Sequence, residues 1–193
     1  DSVLFQRQET PTKINIFASK IDFVLPNESN KSKWEMGAKT SFVNTDNLFF
    51  FEFKKGENWS NDASRTNNFM YKENVNAVYA NYGKSFSKFD YQVGLRLEHT
   101  HSNGNSVTLN KVVDRNYLSA FPTAFINHKV NKKYAVRYSY SRRVDRPDYQ
   151  QLNPFMFFLD PYTFQVGNPF LNPQFTDNFE IAQTFVDKYS VTL

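Results

Sequence analysis

An apolar side chain recurs at every second position along most of this chain, and that period leaves few folds open. Trp34, Met36, Ala38, Thr40 and Phe42 alternate with Lys33, Glu35, Gly37, Lys39 and Ser41. Phe89, Tyr91, Val93, Leu95 and Leu97 alternate with Asp90, Gln92, Gly94, Arg96 and Glu98, and Tyr134, Val136, Tyr138 and Tyr140 do so with Lys133, Ala135, Arg137, Ser139 and Ser141. A period of two sends successive side chains to opposite faces of a strand. Each segment therefore has one greasy and one wet face. Further strands are expected at Ile14 to Leu25, Leu48 to Lys54, Tyr71 to Tyr82, Tyr117 to His128 and Phe179 to Phe185. Within the first of these the apolar phase changes after Ile16, which predicts a bulge or a strand covered on both sides. Residues 1–12 show no period and read as an extended lead-in. Tyr189 to Leu193 alternates and stops in mid-strand, so the chain reads as a single segment, 1–193, of a longer parent.

The connections supply the second constraint. Tight turns are expected at Asn44 to Asn47, Gly83 to Lys88, Lys129 to Lys132 and Asp187 to Lys188. Long polar loops are expected at Pro26 to Lys33, Lys55 to Asn68 and Thr100 to Arg115. Strands of about ten residues, joined alternately by short and long connections, match an antiparallel up-and-down meander forming part of a transmembrane β-barrel. Its lipid face would be apolar and its lumen polar, and Tyr71, Tyr82, Tyr117 and Tyr134 would suit interfacial girdles. The other all-β fold with this alternation is a soluble β-sandwich, which hides the greasy face against a second sheet. As a binding module, that fold would grip a ligand or carbohydrate directly.

Composition narrows the function classes. Aromatics make up 18% of the chain while mean hydropathy is −0.62, so apolar groups are interleaved with polar ones. No run approaches the roughly 20 apolar residues of a spanning helix, and the N-terminus lacks the layout of a signal peptide. Cysteine is absent, which removes disulfides and thiolate chemistry. Basic and acidic residues, 23 against 19, are spread along the chain without the stripe that marks nucleic-acid binding.

Between the last two alternating segments lies Arg142 to Ile181, with five of the eight prolines: Pro147, Pro154, Pro161, Pro169 and Pro173. Proline fixes φ and removes a donor, so this connection should be extended and stiff with no helix running through it. Its apolar run Phe155, Met156, Phe157, Phe158 and Leu159 is too greasy for a disordered linker. An Arg-Pro step, Arg146 and Pro147, tops the preceding strand, and a Gly-Asn-Pro-x-Leu-x-Pro element, Gly167, Asn168, Pro169, Leu171 and Pro173, leads into the next. This stretch resembles the late barrel strands of TonB-dependent outer-membrane receptors, and more closely the outer-membrane protein β-barrel family of Gram-negative bacteria. The likeness extends upstream through Lys33 to Val43 and Met70 to Gly104. Asn172 and Gln174 stand where many receptors have Lys and Glu, and Ala182 where a glycine is common. The resemblance implies an outer-membrane location, contact with lipid, and a parent that binds and takes up a substrate. It also implies a plug domain and signal peptide, both absent from these residues, and a periplasmic energy-transducing partner.

Catalytic chemistry finds little support, and neither cofactor nor metal is called for. His99 and His101, two apart on a strand, would share a face and could begin a metal site, but no third ligand accompanies them. Asp145 with Asp148, and Glu98 with Asp114, lack any partnering base or nucleophile. Binding is the better prospect. Arg142, Arg143, Arg146, Tyr149, Tyr162 and Phe164 could present guanidinium forks and aromatic faces to an anionic or carbohydrate-like ligand. Equally, the aromatics could pack the loop on the barrel mouth while the arginines pair with Asp145, Asp148 and Asp160. Charged strand faces, including Arg96, Glu98 and Arg137, would line a wet lumen. A piece of barrel also exposes strand edges and a greasy outer face, so self-association through paired edges is expected, with Phe49, Phe51, Phe89 and Leu95 covered.

Overall fold

A computed structural model describes residues 5–158, 160, 162–186 and 188–192. Leu159 and Pro161 of the proline-rich stretch, Asp187 of the expected last turn, and Leu193 lie outside the described residues.

The long strands are β2 (Thr12–Asn27), β3 (Ser32–Lys55), β5 (Asn67–Ser85), β6 (Phe89–Ser106), β7 (Lys111–Asn131), β8 (Tyr134–Asp145) and β11 (Gln174–Phe185). Short strands β1 (Gln6–Glu9), β4 (Asn58–Asn61) and β12 (Tyr189–Thr192) complete a ten-stranded sheet. All pairings are antiparallel, and the long strands pair in chain order, the pattern of a meander. The expected lead-in is in fact strand: β1 and β2 pair with β3 in one unbroken register, interrupted only at Thr10 and Pro11.

Cross-strand partners share a face, so one row identifies each side. Trp34, Tyr82, Val93, Ala124, Tyr140 and Phe179 are successive partners across the sheet, as are Ala38, Val78, Leu97 and Ala120. This is the convex, greasy face. Gly37, Tyr79, Arg96 and Phe121 form a row of the other face, which carries most of the charges. Among the described residues no second sheet covers the greasy side; Val78, Leu95 and Leu118 are exposed there. The sandwich alternative fails on that observation, because a water-soluble sheet cannot leave its apolar face bare.

Several boundaries differ from the sequence reading, for one shared reason. The turn expected at Asn44 to Asn47 does not exist: β3 passes straight through it. What changes there is the side on which the chain is greasy, from Phe42 on the convex face to Phe49 and Phe51 on the concave one. Ile14 and Ile16 of β2 pair with Thr45 and Val43 on that same concave side, so β2 also keeps its register without a bulge. The expected loop Thr100 to Arg115 is strand up to Ser106 and again from Lys111, closed by four residues, 107–110. Lys55 to Asn68 contains a hairpin, β3 to β4, turned at Gly56 with φ +64. Pro26 to Lys33 shrinks to residues 28–31, which puts it at the tight-turn end together with 86–88 and 132–133. Strands of 16 to 24 residues are much longer than the roughly 9–11 needed to cross a bilayer. Their polar upper parts, read in sequence as loops, continue the ladder past the apolar belt.

The girdle reading holds only in part. Trp34 and Tyr82 lie 4.8 Å apart near the tight turns, beside Tyr91, and Tyr134 stacks on Phe185 at 4.8 Å. Tyr71 and Tyr117 instead face the concave side. The described residues form an open sheet, and this chain does not itself cover the edges that were expected to be paired. β2 has β3 as its one long-strand neighbour, β12 has only β11, and Phe89 and Leu95 are 44% and 47% exposed. A lipid-embedded sheet cannot leave such edges unpaired, so in the membrane both edges need partners. Phe49 and Phe51 are covered, but by the chain's own loop.

The face assignment is testable. Val78→Arg, on the convex belt, should cost about 2–4 kcal/mol near a bilayer midplane. Reduced assembly and loss of heat-modifiable gel migration should follow, whereas Asn74→Arg, on the same face above the belt, should assemble normally.

Candidate functional site

The connection 146–173 folds down onto the upper concave face instead of reaching away from it. Pro147 ends β8, and Asp148 then caps one helical turn, α1 (Tyr149–Leu152). Its carboxylate accepts from the Gln151 N–H at 2.8 Å, and the Gln151 side chain accepts from the Asp148 N–H at 3.1 Å. The two reciprocal bonds satisfy donors that the start of a helix leaves orphaned. The expectation of no helix thus gives way at this single turn, which fits between Pro147 and Pro154. A hairpin of β9 (Met156–Phe158) and β10 (Phe164–Val166) follows. Asp160 accepts from the backbone N–H groups of Tyr162 and Thr163 at 2.7 and 2.8 Å, which holds its carboxyl below the usual range.

Two apolar clusters fasten this loop to the sheet. Phe155 and Phe157 pack on Phe49 and Phe51, which are 5% and 2% exposed, and Leu152 and Tyr149 pack on Phe69 and Tyr71. These contacts explain why the upper strands are greasy on the concave side. Arg65 lies over both Phe51 and Phe158, with its guanidinium carbon 4.9 and 5.2 Å from the ring centres.

The Gly-Asn-Pro element does backbone work. Gly167 N–H donates to the Asn153 carbonyl at 2.9 Å and Asn168 N–H to that of Gln151 at 2.7 Å, so the element closes onto α1. A Cβ at Gly167 would meet the carbonyl oxygens of Gln150, Gln151 and Asn153 within 2.7 Å, and only glycine fits. The Asn168 side chain accepts from Phe170 N–H at 2.9 Å. The carbonyls of Pro169 and Leu171 both accept from the Arg115 guanidinium, the first at 2.6 Å, and Pro173 then delivers the chain to β11. Asn172 and Gln174 leave all of this intact because the bonds are to backbone.

The six sequence candidates do not form one surface. Tyr149 is packed into a cluster, Tyr162 is 95% exposed, and Phe164 lies 6.1 Å from Phe158 in the hairpin. Arg146 points inward: its Nη2 donates to Glu98 at 2.6 Å and to Thr100 at 3.3 Å. Its partner is thus on β6 and not one of Asp145, Asp148 and Asp160. Arg142 lies 3.8 Å from Asp177 and over the Phe175 ring. Arg142, Arg143 and Arg146 nevertheless share one cavity of about 1320 Å³ on the concave side, along with Arg96 and Arg137. Sequence reasoning assigned those last two only to a wet wall; strand register is what joins them to the loop arginines. His99 and His101 sit on the convex face, 2.7 Å from Asn116 and 3.0 Å from Asp114. Glu98 and Asp114 lie on opposite faces, so they cannot act as a pair.

Comparison with known proteins decides the family. The family model for the outer membrane protein beta-barrel family matches residues 1–193. The chain belongs to that family. It is therefore part of a β-barrel of the Gram-negative outer membrane. No curated protein sequence matches it. Among solved structures, the unliganded ferric citrate transporter FecA aligns with a TM-score of 0.61 at 12% identity, over 97% of this chain and 27% of FecA. The ferric yersiniabactin uptake receptor FyuA from Yersinia pestis aligns at 0.60 and 11% identity, over 93% of this chain and 27% of the receptor. The chain thus spans about a quarter of the length of these neighbours, and at such identities the likeness is one of fold.

Two substitutions probe the loop anchor. Gly167→Ala should displace the loop from α1, giving faster proteolysis within 146–173 while the barrel still assembles. Arg146→Ala, which leaves Glu98 paired with Arg96 alone, should cost about 2 kcal/mol and speed amide exchange in the same segment. If exchange there is unchanged in both variants, the loop is held by other contacts.

Proposed function

We propose that this chain forms part of the wall and outer mouth of a barrel that binds a substrate and takes it up across the outer membrane. The observation that carries this reading is the inward-folded loop. A stiff 28-residue connection, 146–173, packs against the lumen side of a lipid-belted sheet and so narrows the mouth at one place. Loops of that length in ordered domains are usually functional. The neighbours' descriptions as a transporter and an uptake receptor support the same reading. In it, the parent carries further strands that close the barrel, a plug within the lumen and a periplasmic partner that supplies energy. Isolated residues 1–193 would self-associate through the free edges of β2 and β12. Uptake, not catalysis, is the activity proposed.

Uptake can be tested without knowing the substrate. Spent medium from a strain lacking the gene should retain at least one solute that the complemented strain depletes, and an uncoupler of the inner membrane should abolish the difference. Identical media from the two strains would defeat the proposal.

A further inference from the structure

The cavity on the concave wall is far more cationic than the chain as a whole. Eight of its lining residues are Lys or Arg and three are Asp or Glu, whereas the whole chain has 23 and 19. Four of the eight are ion-paired, Lys33 to Glu35 and Arg96 to Glu98 at 2.7 Å, Arg146 to Glu98 at 2.6 Å and Arg142 to Asp177 at 3.8 Å, and the other four have no carboxylate partner among the described residues. Arg137 and Arg143 are exposed, lie on the same side of β8 and form no ion pair among the described residues. Six residues of strand place them about 20 Å apart. Beside them, Arg96 lies over the Phe121 ring with its guanidinium carbon 4.9 Å from the centroid, and Arg142 over Phe175 at 5.2 Å. The Nε atoms of Arg142 and Arg146 are buried yet donate to nothing. Planar guanidinium forks with unused donors match the oxygens of carboxylates and phosphates in pairs.

We infer that this wall is an anion-binding track, running down β8 from Arg143 to Arg137, that takes small solutes bearing carboxylate or phosphate groups. The inference rests on the uptake reading and names the class of substrate. Neutral sugars would leave the excess guanidinium donors unmatched, and cations would be repelled. Concave, poorly hydrated walls of one charge sign also concentrate counter-ions, so the track would capture its solute at low concentration.

The test uses the full-length outer-membrane protein containing this chain, purified in detergent, and saturation-transfer NMR with four probes: succinate, glycerol 3-phosphate, glucose and putrescine. The two anions should bind at least tenfold more tightly than the other two, and less tightly as sodium chloride is added. An Arg137→Gln/Arg143→Gln variant should lose about tenfold in anion affinity, while Arg137→Lys/Arg143→Lys should retain most of it. Both positions are exposed, and heat-modifiable migration checks that each variant folds. Equal binding of all four probes, no anion binding, or an anion preference unchanged in the glutamine variant would overturn the inference. Its failure is separable from that of the uptake reading. Anion binding by a protein whose deletion strain retains no solute defeats uptake and leaves the track. A retained neutral solute together with no anion preference defeats the track alone.

Discussion

Everything in this structure depends on keeping backbone N–H and C=O groups paired where no water can reach them. Within a bilayer an unpaired backbone group costs several kcal/mol, so a sheet there must run its ladders without gaps. The strands comply: β3 pairs with β5 from Ser32 to Phe49, and β5 with β6 from Phe69 to Ser85, without a register slip. The β7 to β8 ladder stops at Thr123, next to Pro122, whose ring offers no N–H to extend it. That break begins level with Leu95 of the apolar belt, from where β8 continues paired only with β11 on its way to the loop.

Given such ladders, side-chain chemistry is sorted by height as well as by face. Through the belt, the convex side is apolar because lipid lies against it, and the concave side is polar. Above the belt the convex side turns to asparagine and histidine, as at Asn74, Asn76, His99 and His101, while phenylalanines move to the concave side. The switch occurs within a single unbroken strand at residues 44–47 of β3. Its cause is the loop, which brings Leu152, Phe155 and Phe157 to that side and needs apolar partners there.

The loop in turn fixes the charges. Arg146 is drawn from the loop to Glu98 and Thr100 on β6, and Arg115 on β7 is committed to the carbonyls of Pro169 and Leu171. With those two arginines engaged in holding the loop, Arg137 and Arg143 are left facing the cavity unpaired. One proline-stiffened connection thus both covers the upper concave face and separates anchoring arginines from free ones. Gly167 makes the closure compact, because three backbone carbonyls approach the space a side chain would occupy.

Sequence alone determined the strands, which residues share a face within each, and the family, since a period of two and a proline-spaced motif are local properties. It also marked Gly167, Asn168 and Pro169 as a backbone-shaping motif, and in the structure the N–H groups of the first two donate to carbonyls at and just after α1. It misplaced the turn at Asn44 to Asn47 and the polar loops because a change of greasy face and a polar strand look like connections when read one residue at a time. Only the tertiary structure decided that Phe49 and Phe51 face a folded-back loop, that Arg146 meets Glu98, and that Arg96 and Arg137 join Arg142 and Arg143 around one cavity. The reason is physical: the contacts of Arg146 with Glu98 and of Phe49 with Phe155 join residues 48 and 106 apart and are set by strand register and loop packing, neither of which leaves a periodic trace in the sequence.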